Sequence, residues 1–128
     1  MALLPTRVLG QIAEQEACTF LKKNGLKFIA SNYQCRYGEI DLIMQENKDI
    51  IFIEVRNRNR IDYGNAVQTI SPQKQKKIIK TALSFLQAQS WLNKVNCRFD
   101  VIGIKYVAET LEIDWIKNAF STEQCAHL

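Results

Sequence analysis

Hydrophobic residues recur along the chain with two different periods, and the places where the period changes divide it into seven elements. Across residues 10–24, Ala13, Ala17, Phe20 and Leu21 fall at helical spacing, and Asn24-Gly25 supplies a left-handed stop, so a first helix is expected there. Leu26, Phe28 and Ala30 then alternate with Lys27, Ile29 and Ser31, a weaker strand signal that gives way to a loop over 33–38. Two β-rich runs, 39–44 and 50–56, flank the polar turn Glu46-Asn47-Lys48-Asp49 and predict an antiparallel hairpin. Residues 57–69 are polar without a period and read as a loop. Ser71-Pro72 is an N-cap and first-turn pair, and Ile78, Ile79, Ala82, Leu83 and Leu86 form the apolar stripe of a second helix running to about residue 89. Runs 98–106 and 111–116, joined by a turn at 108–110, predict two last strands before a polar tail. The order is α-β-β-β-α-β-β, with no repeat or linker to divide it.

The central hairpin carries its own register. With the turn centred between Asn47 and Lys48, Asp41 stands opposite Glu54 and Glu39 opposite Arg56, all four on one face. The other face is Ile40, Leu42 and Met44 against Ile51, Ile53 and Val55, an apolar surface suited to a core. A slip of one residue would mix buried and solvated positions on both faces. Ile43 and Phe52 continue the charged face toward the turn as an apolar surface, so another element is expected to cover it.

Composition then narrows the class. A chain of 128 residues with 47% apolar and 23% charged residues reads as one globular domain over 1–128, with short flexible tails at about 1–7 and 118–128. Cys18, Cys35, Cys97 and Cys125 are far apart and without a C-x-x-C pair, which argues for reduced thiols and against a zinc site or a disulfide framework. The only histidine, His127, is next to the last residue, which excludes chemistries built on a central imidazole. No apolar run approaches a membrane span and the amino terminus is no signal peptide, so a cytoplasmic protein with no membrane partner is expected. The net charge of +4 fits a polyanion without requiring one.

Two carboxylates facing each other across a hairpin repel unless a proton or cation intervenes, and a hard divalent ion such as Mg²⁺ or Mn²⁺ takes one or two carboxylates plus water and substrate phosphate. Asp41 and Glu54 are therefore candidate metal ligands for phosphodiester hydrolysis; the alternative is a surface pair balanced by Arg56. Glu14 falls beside the apolar sector of the first helix, either as a third acid at the site or as a boundary residue reaching water. Arg56, Arg58 and Arg60 lead away from the acids, and Lys74, Lys76, Lys77 and Lys80 follow on the second helix. These are candidate nucleic-acid contacts or simply solvated faces. Tyr37 and Tyr63 are candidates for stacking on unpaired bases. Arg98 and Asp100 share a strand face and read as a structural ion pair.

The segment GEIDLIM, Gly38 to Met44, followed by FIEVRNR, Phe52 to Arg58, resembles the YraN family of uncharacterised bacterial proteins. The resemblance extends to Glu14, Ala17, Leu21 and Gly25, to Lys74 and Ala82, and to RFDV from Arg98 to Val101. That family looks like a branch of the restriction-endonuclease-like, PD-(D/E)XK nuclease superfamily, similar in fold to archaeal Holliday-junction resolvases. The resemblance implies an α/β fold with an αβββαβ core, a mixed sheet flanked by helices. It also implies Mg²⁺- or Mn²⁺-dependent cleavage of structured or branched DNA, and a homodimer as resolvases form. Carried over by position, Asp41 is the motif aspartate, Glu54 the second metal-binding acid and Glu14 the helix acid, while Arg56 stands where the motif has lysine. Arginine is a poor general base because it does not lose its proton, so Arg56 is expected to clamp phosphate, or to pair with Glu39 across the hairpin. Lys74 and Lys77 are expected to contact the nucleic-acid backbone together with Arg58 and Arg60. The alternatives are a non-catalytic nucleic-acid-binding domain that kept the nuclease fold, or a protein-interaction module with a merely charged surface.

Overall fold

A computed structural model describes residues 5–58 and 70–121 of the chain. Arg60 and Tyr63, two of the candidate contacts, Cys125, His127 and most of the loop expected over 57–69 lie outside the described residues.

The first helix, α1, spans Thr6–Lys23, beginning earlier than the apolar period suggests, and buries Ala13, Ala17 and Leu21. It stops at Asn24, whose side chain donates to the Phe20 carbonyl, and at Gly25, whose φ of +92° favours glycine. Strand β1 covers Lys27–Cys35, β2 Gly38–Glu46 and β3 Asp49–Asn57; helix α2 spans Pro72–Ala88, and β4, Cys97–Val107, and β5, Thr110–Phe120, close the order. The five strands form one sheet in sequence order, antiparallel throughout except where β3 and β4 run parallel, with α2 in the connection between them. This is the mixed sheet flanked by helices that the resemblance implies, an α/β fold with the αβββαβ order and one further strand.

The helices cover opposite faces. Ile78, Ile79, Ala82, Phe85 and Leu86 of α2 pack on Ile43, Ile50, Phe52, Phe99 and Val101, so α2 is the cover that Ile43 and Phe52 require. Ala13, Ala17 and Leu21 of α1 pack on Leu42, Met44, Ile51, Ile53, Ile102 and Ile104. The hairpin is thus buried on both sides, which is why its strands read as nearly continuous apolar runs.

Three expectations are corrected. The loop expected over 33–38 is instead the end of β1 and a tight turn at Arg36-Tyr37, with Cys35 opposite Gly38. A register shift between Phe28 and Ala30 breaks the alternation that would have revealed the longer strand. Ile40, expected beside Leu42 and Met44, joins Ile43 in the α2 cluster, so the alternation of β2 is interrupted at Asp41. Strand β5 continues through Asn118 to Phe120, residues assigned above to a tail; Phe120 is buried and stacks on Phe99 with ring centroids 5.2 Å apart.

Candidate functional site

The β2–β3 ladder holds the predicted register from Glu46–Asp49 up to Leu42–Ile53 and ends there. One step further, where Asp41 and Glu54 would face each other, β2 and β3 no longer pair, while β3 stays paired with β4 from Ile50 to Asn57, Glu54 lying against Val101. The strands fork, and the Asp41 side chain bridges the fork: Val55 N–H donates to Asp41 Oδ2 at 2.8 Å. Asp41 thereby replaces a backbone carbonyl that the departing strand no longer offers.

Glu54 is only 6% exposed, and its Oε1 receives the Lys74 ammonium at 3.0 Å and the Arg56 guanidinium at 3.9 Å. Lys74 comes from the first turn of α2, where Ser71 Oγ accepts from the Lys74 N–H at 3.1 Å and sets the start of the helix. A cleft of about 380 Å³ opens here between the β2 end of the hairpin and α2, lined by Gly38, Glu39, Asp41, Glu54, Lys74 and Lys77 among others. Gly38 faces α2 here, and its backbone conformation rather than lack of space is what favours glycine. Its φ is +156°, and a Cβ there would lie 3.4 Å from Thr81 Oγ1 and 3.6 Å from Lys77 Cβ.

Burial, and then the neighbouring Glu54 charge, push the Asp41 carboxyl far above the usual carboxylate range, to about 8; Glu14 and Glu39 add to the rise and the Val55 hydrogen bond opposes it. Glu14 is itself raised, first by burial, with Asn32 and Asp41 acting against the rise as hydrogen-bond partners. It sits on the α1 side, in a second cleft with Asn32 and Leu42. Asp41 therefore stands between the two faces, electrostatically coupled to Glu14 on one side and Glu54 on the other. Among the described residues, no three His, Cys, Asp or Glu side chains converge closely enough to hold a metal ion together. The donor set that does converge is a pair of carboxylates flanked by cations, with no sulfur or imidazole. Such a pair fits a hard cation that completes its shell with water and phosphate, and it does not fit zinc.

The other predicted residues fall in distinct places. Lys77 lines the cleft, and Lys74 goes deeper than a backbone contact, into the acid pair itself. Its helical periodicity gave no hint of this, because the distance between α2 and β3 is a tertiary fact. Arg58 leads out of β3 and its Nη1 reaches Asp114 Oδ2 of β5 at 3.0 Å. Arg56 pairs with Glu54 on its own strand, while Glu39 lies opposite Gln34 of β1. Arg98 and Asp100 form the structural pair expected of them: Arg98 Nε donates to both Asp100 oxygens at 3.0 and 3.2 Å, and its Nη1 to Glu46 at 2.9 Å. Cys18, Cys35 and Cys97 are free thiols. No helix among the described residues is long and apolar enough to cross a membrane.

Fold and site together define a small α/β domain with a carboxylate pair, crossed by lysine and arginine, where its central hairpin forks. The model of the uncharacterised protein family UPF0102 matches residues 13–104, a span that takes in Glu14, Asp41, Glu54, Arg56 and Lys74. A UPF0102 protein of Coxiella burnetii (strain RSA 331 / Henzerling II) is 46% identical over 118 residues, covering 92% of this chain and 96% of its own length. One from Nitrosococcus oceani is 42% identical over 114 residues, 89% of this chain and 92% of its own. Another, from Acinetobacter baumannii (strain AYE), is 41% identical over 133 aligned positions, 94% of this chain and 100% of its own. The chain belongs to the UPF0102 family.

Proposed function

We propose that this protein is a metal-dependent nuclease that hydrolyses phosphodiester bonds in structured or branched DNA, with its site at the fork between β2 and β3. The observation that carries the reading is the treatment of Asp41. The fold buries it beside Glu54 where its charged form is disfavoured, and a bound cation relieves that cost. A pair kept for stability alone would be separated, or matched by enough donors.

Asp41 and Glu54 would hold Mg²⁺ or Mn²⁺, with Glu14 adding negative charge from the α1 side. When bound, such an ion supplies charge neutralisation at the phosphate and lowers the cost of activating water. The remaining work falls to the chain. Val55 N–H fixes the Asp41 carboxyl through Oδ2. Lys74 and Arg56, both anchored on Glu54 Oε1, present positive charge where the phosphate must lie. Helix α2 strengthens this, because its sequence holds four lysines and no acid. Cations in the first turn of a helix oppose its dipole, and an anion docked there removes the conflict. Water adds to phosphorus, the P–O bond to the leaving sugar oxygen breaks, and the proton lost by the water passes by way of a phosphate oxygen to that leaving oxygen, which departs as the alcohol, since Arg56 cannot accept a proton. Arg56 and Lys74 stabilise the charge that develops on phosphate.

The test is cleavage of duplex, single-stranded and branched DNA with Mg²⁺ or Mn²⁺, beside calorimetric Mn²⁺ titration. Product that disappears in Asp41→Ala, with Mn²⁺ binding lost in the same variant, supports the reading; no product above the Asp41→Ala level sinks it. Salt-dependent binding without turnover would instead favour the binding domain that kept the fold, for which Arg56 in the lysine position is the chief argument.

A further inference from the structure

We infer that the groove beside Tyr37 seats an unpaired base of single-stranded DNA, next to the cleft that holds the acids. The inference rests on the nuclease reading and specifies its substrate: a strand that is unpaired a short distance from the bond to be cut.

Tyr37 is the second residue of the Arg36-Tyr37 turn between β1 and β2, and it is 37% exposed. Two cations lie near its ring. The Arg36 guanidinium lies 4.8 Å from the ring centroid and donates through Nη2 to the phenol oxygen at 2.6 Å, while the Lys80 ammonium lies 5.8 Å from the same centroid. The groove, about 700 Å³, is floored by Leu83 and Leu92, themselves 39% and 38% exposed, and Ser84 lies along it as a donor and acceptor. An exposed aromatic ring, an apolar floor and two flanking cations are complementary to a nucleobase with phosphates on either side.

Continuity with the acids sets this aromatic apart from others. Phe28 also carries a lysine, Lys22 at 5.5 Å, but it faces the α1 side together with Glu14. Trp115 packs with Phe20 against the α1-side core, its indole N–H committed to Asp100, away from the acid cleft. Tyr37 instead adjoins Gly38, which lines the acid cleft, and Lys74, Lys77 and Lys80 follow one another along the α2 face between cleft and groove. Lys74 and Lys80 are six residues apart, about 9 Å along the helix axis. That is the span of two or three stacked nucleotides at about 3.4 Å each. A strand whose phosphate lies at Lys74 thus brings a base onto Tyr37 if that base is unpaired, whereas the partner strand of a duplex would hold it away.

The experiment measures anisotropy of a labelled oligothymidylate of about 12 nucleotides, of its duplex with oligodeoxyadenylate, and of the matching oligouridylate, with the full chain in EDTA. Wild type and Tyr37→Phe should bind the single strand alike, and Tyr37→Ala about 5- to 100-fold more weakly. Duplex binding should change less than about twofold, and Lys80→Gln should reduce the salt slope by about 0.7. Equal loss on single strand and duplex, no loss in Tyr37→Ala, tighter binding of the oligouridylate, or displacement of DNA by polyglutamate as readily as by unlabelled DNA would each overturn the inference. Asp41→Asn separates the two claims. It should abolish cleavage without weakening single-strand binding. DNA cut in an Asp41-dependent way but indifferent to Tyr37 refutes the groove and leaves the nuclease; a Tyr37-dependent single-strand site without any cleavage refutes the nuclease and leaves the groove.

Discussion

Asp41 and Asp100 are both aspartates drawn into the same sheet beside basic residues, but the fold treats them in opposite ways. Asp100, 1% exposed, has each oxygen doubly matched: Oδ1 accepts from Arg98 Nε and from the Asn118 N–H at 2.9 Å, and Oδ2 from Arg98 Nε and from Trp115 Nε1 at 2.9 Å. Asp41 accepts from the Val55 N–H, shares a hydrogen bond with Glu14, and otherwise has the like charges of Glu54 and Glu39 about it. One carboxylate ties β4 to β5 and needs nothing more. The other is left short of positive charge, although a lysine is at hand and is spent on its neighbour Glu54. Burial alone therefore does not separate the two acids; the ratio of donors to neighbouring charges does.

The largest effect that can test this contrast is the loss of Asp100. Asp100→Ala strands the Arg98 charge, the Trp115 indole N–H and the Asn118 amide around a cavity, and it should cost about 3–5 kcal/mol in urea unfolding. A cost below about 1 kcal/mol would mean that the network holds without its centre, and the comparison would fail on its structural side.

Next in size is the response to metal. At a free Mn²⁺ concentration about 100 times its Kd, the proposed site should add about 2.7 kcal/mol to the stability of the wild type. Asp41→Asn should show no such gain, while a change at a distant carboxylate such as Glu109 should keep it. An equal gain in both variants would point to cation binding elsewhere.

Proton linkage gives the third prediction, with a sign opposite to that of an ordinary paired aspartate. The Asp41 carboxyl is raised in the folded state from 3.8 to about 8, so the folded protein keeps a proton that the unfolded chain releases. Its contribution to stability is present in acid and is lost as pH rises through about 8. For one proton the slope cannot exceed about 1.4 kcal/mol per pH unit. Urea midpoints in EDTA at several pH values between 5 and 8 should fall with pH in the wild type, and Asp41→Asn should flatten the trend. A midpoint that rises with pH in the wild type but not in the variant would reverse the assignment.

The sequence made one side of the contrast easier to read than the other. The hairpin register, the capped start of α2 and the Arg98–Asp100 pair follow from local rules: alternation, Ser71 before Pro72, and two residues two apart on one strand. What lay beyond those rules is tertiary. The ladder ends at Leu42–Ile53 while β3 stays paired with β4 as far as Asn57, a divergence of β2 from β3 that no hairpin pattern contains. Lys74 reaches Glu54 only because α2 lies across the fork, and Glu14 falls on the far side of Asp41 because α1 covers the other face. The interrupted alternation at Ile40 is the local trace of that fork, and in the sequence it is hidden because every candidate core position there is apolar.

The smallest effect concerns Arg58, a predicted nucleic-acid contact that the fold ties to Asp114 at 3.0 Å. The two readings are compatible if the pair is weak. Asp114 is 65% exposed on its side chain and Arg58 17%, so solvent screens the interaction, and Asp114→Asn should lower stability by no more than about 1 kcal/mol. What the substitution does change is the local field. With Asp114 neutral, the strand end that carries Arg58 gains net positive charge, and DNA binding should tighten modestly and depend more steeply on salt. A stability loss well above 1 kcal/mol with unchanged DNA affinity would place Arg58 with Arg98 as a structural arginine. Tighter, more salt-sensitive binding at little cost in stability would extend the proposed phosphate-contacting surface from Lys74 and Lys77 along β3 to the edge formed with β5.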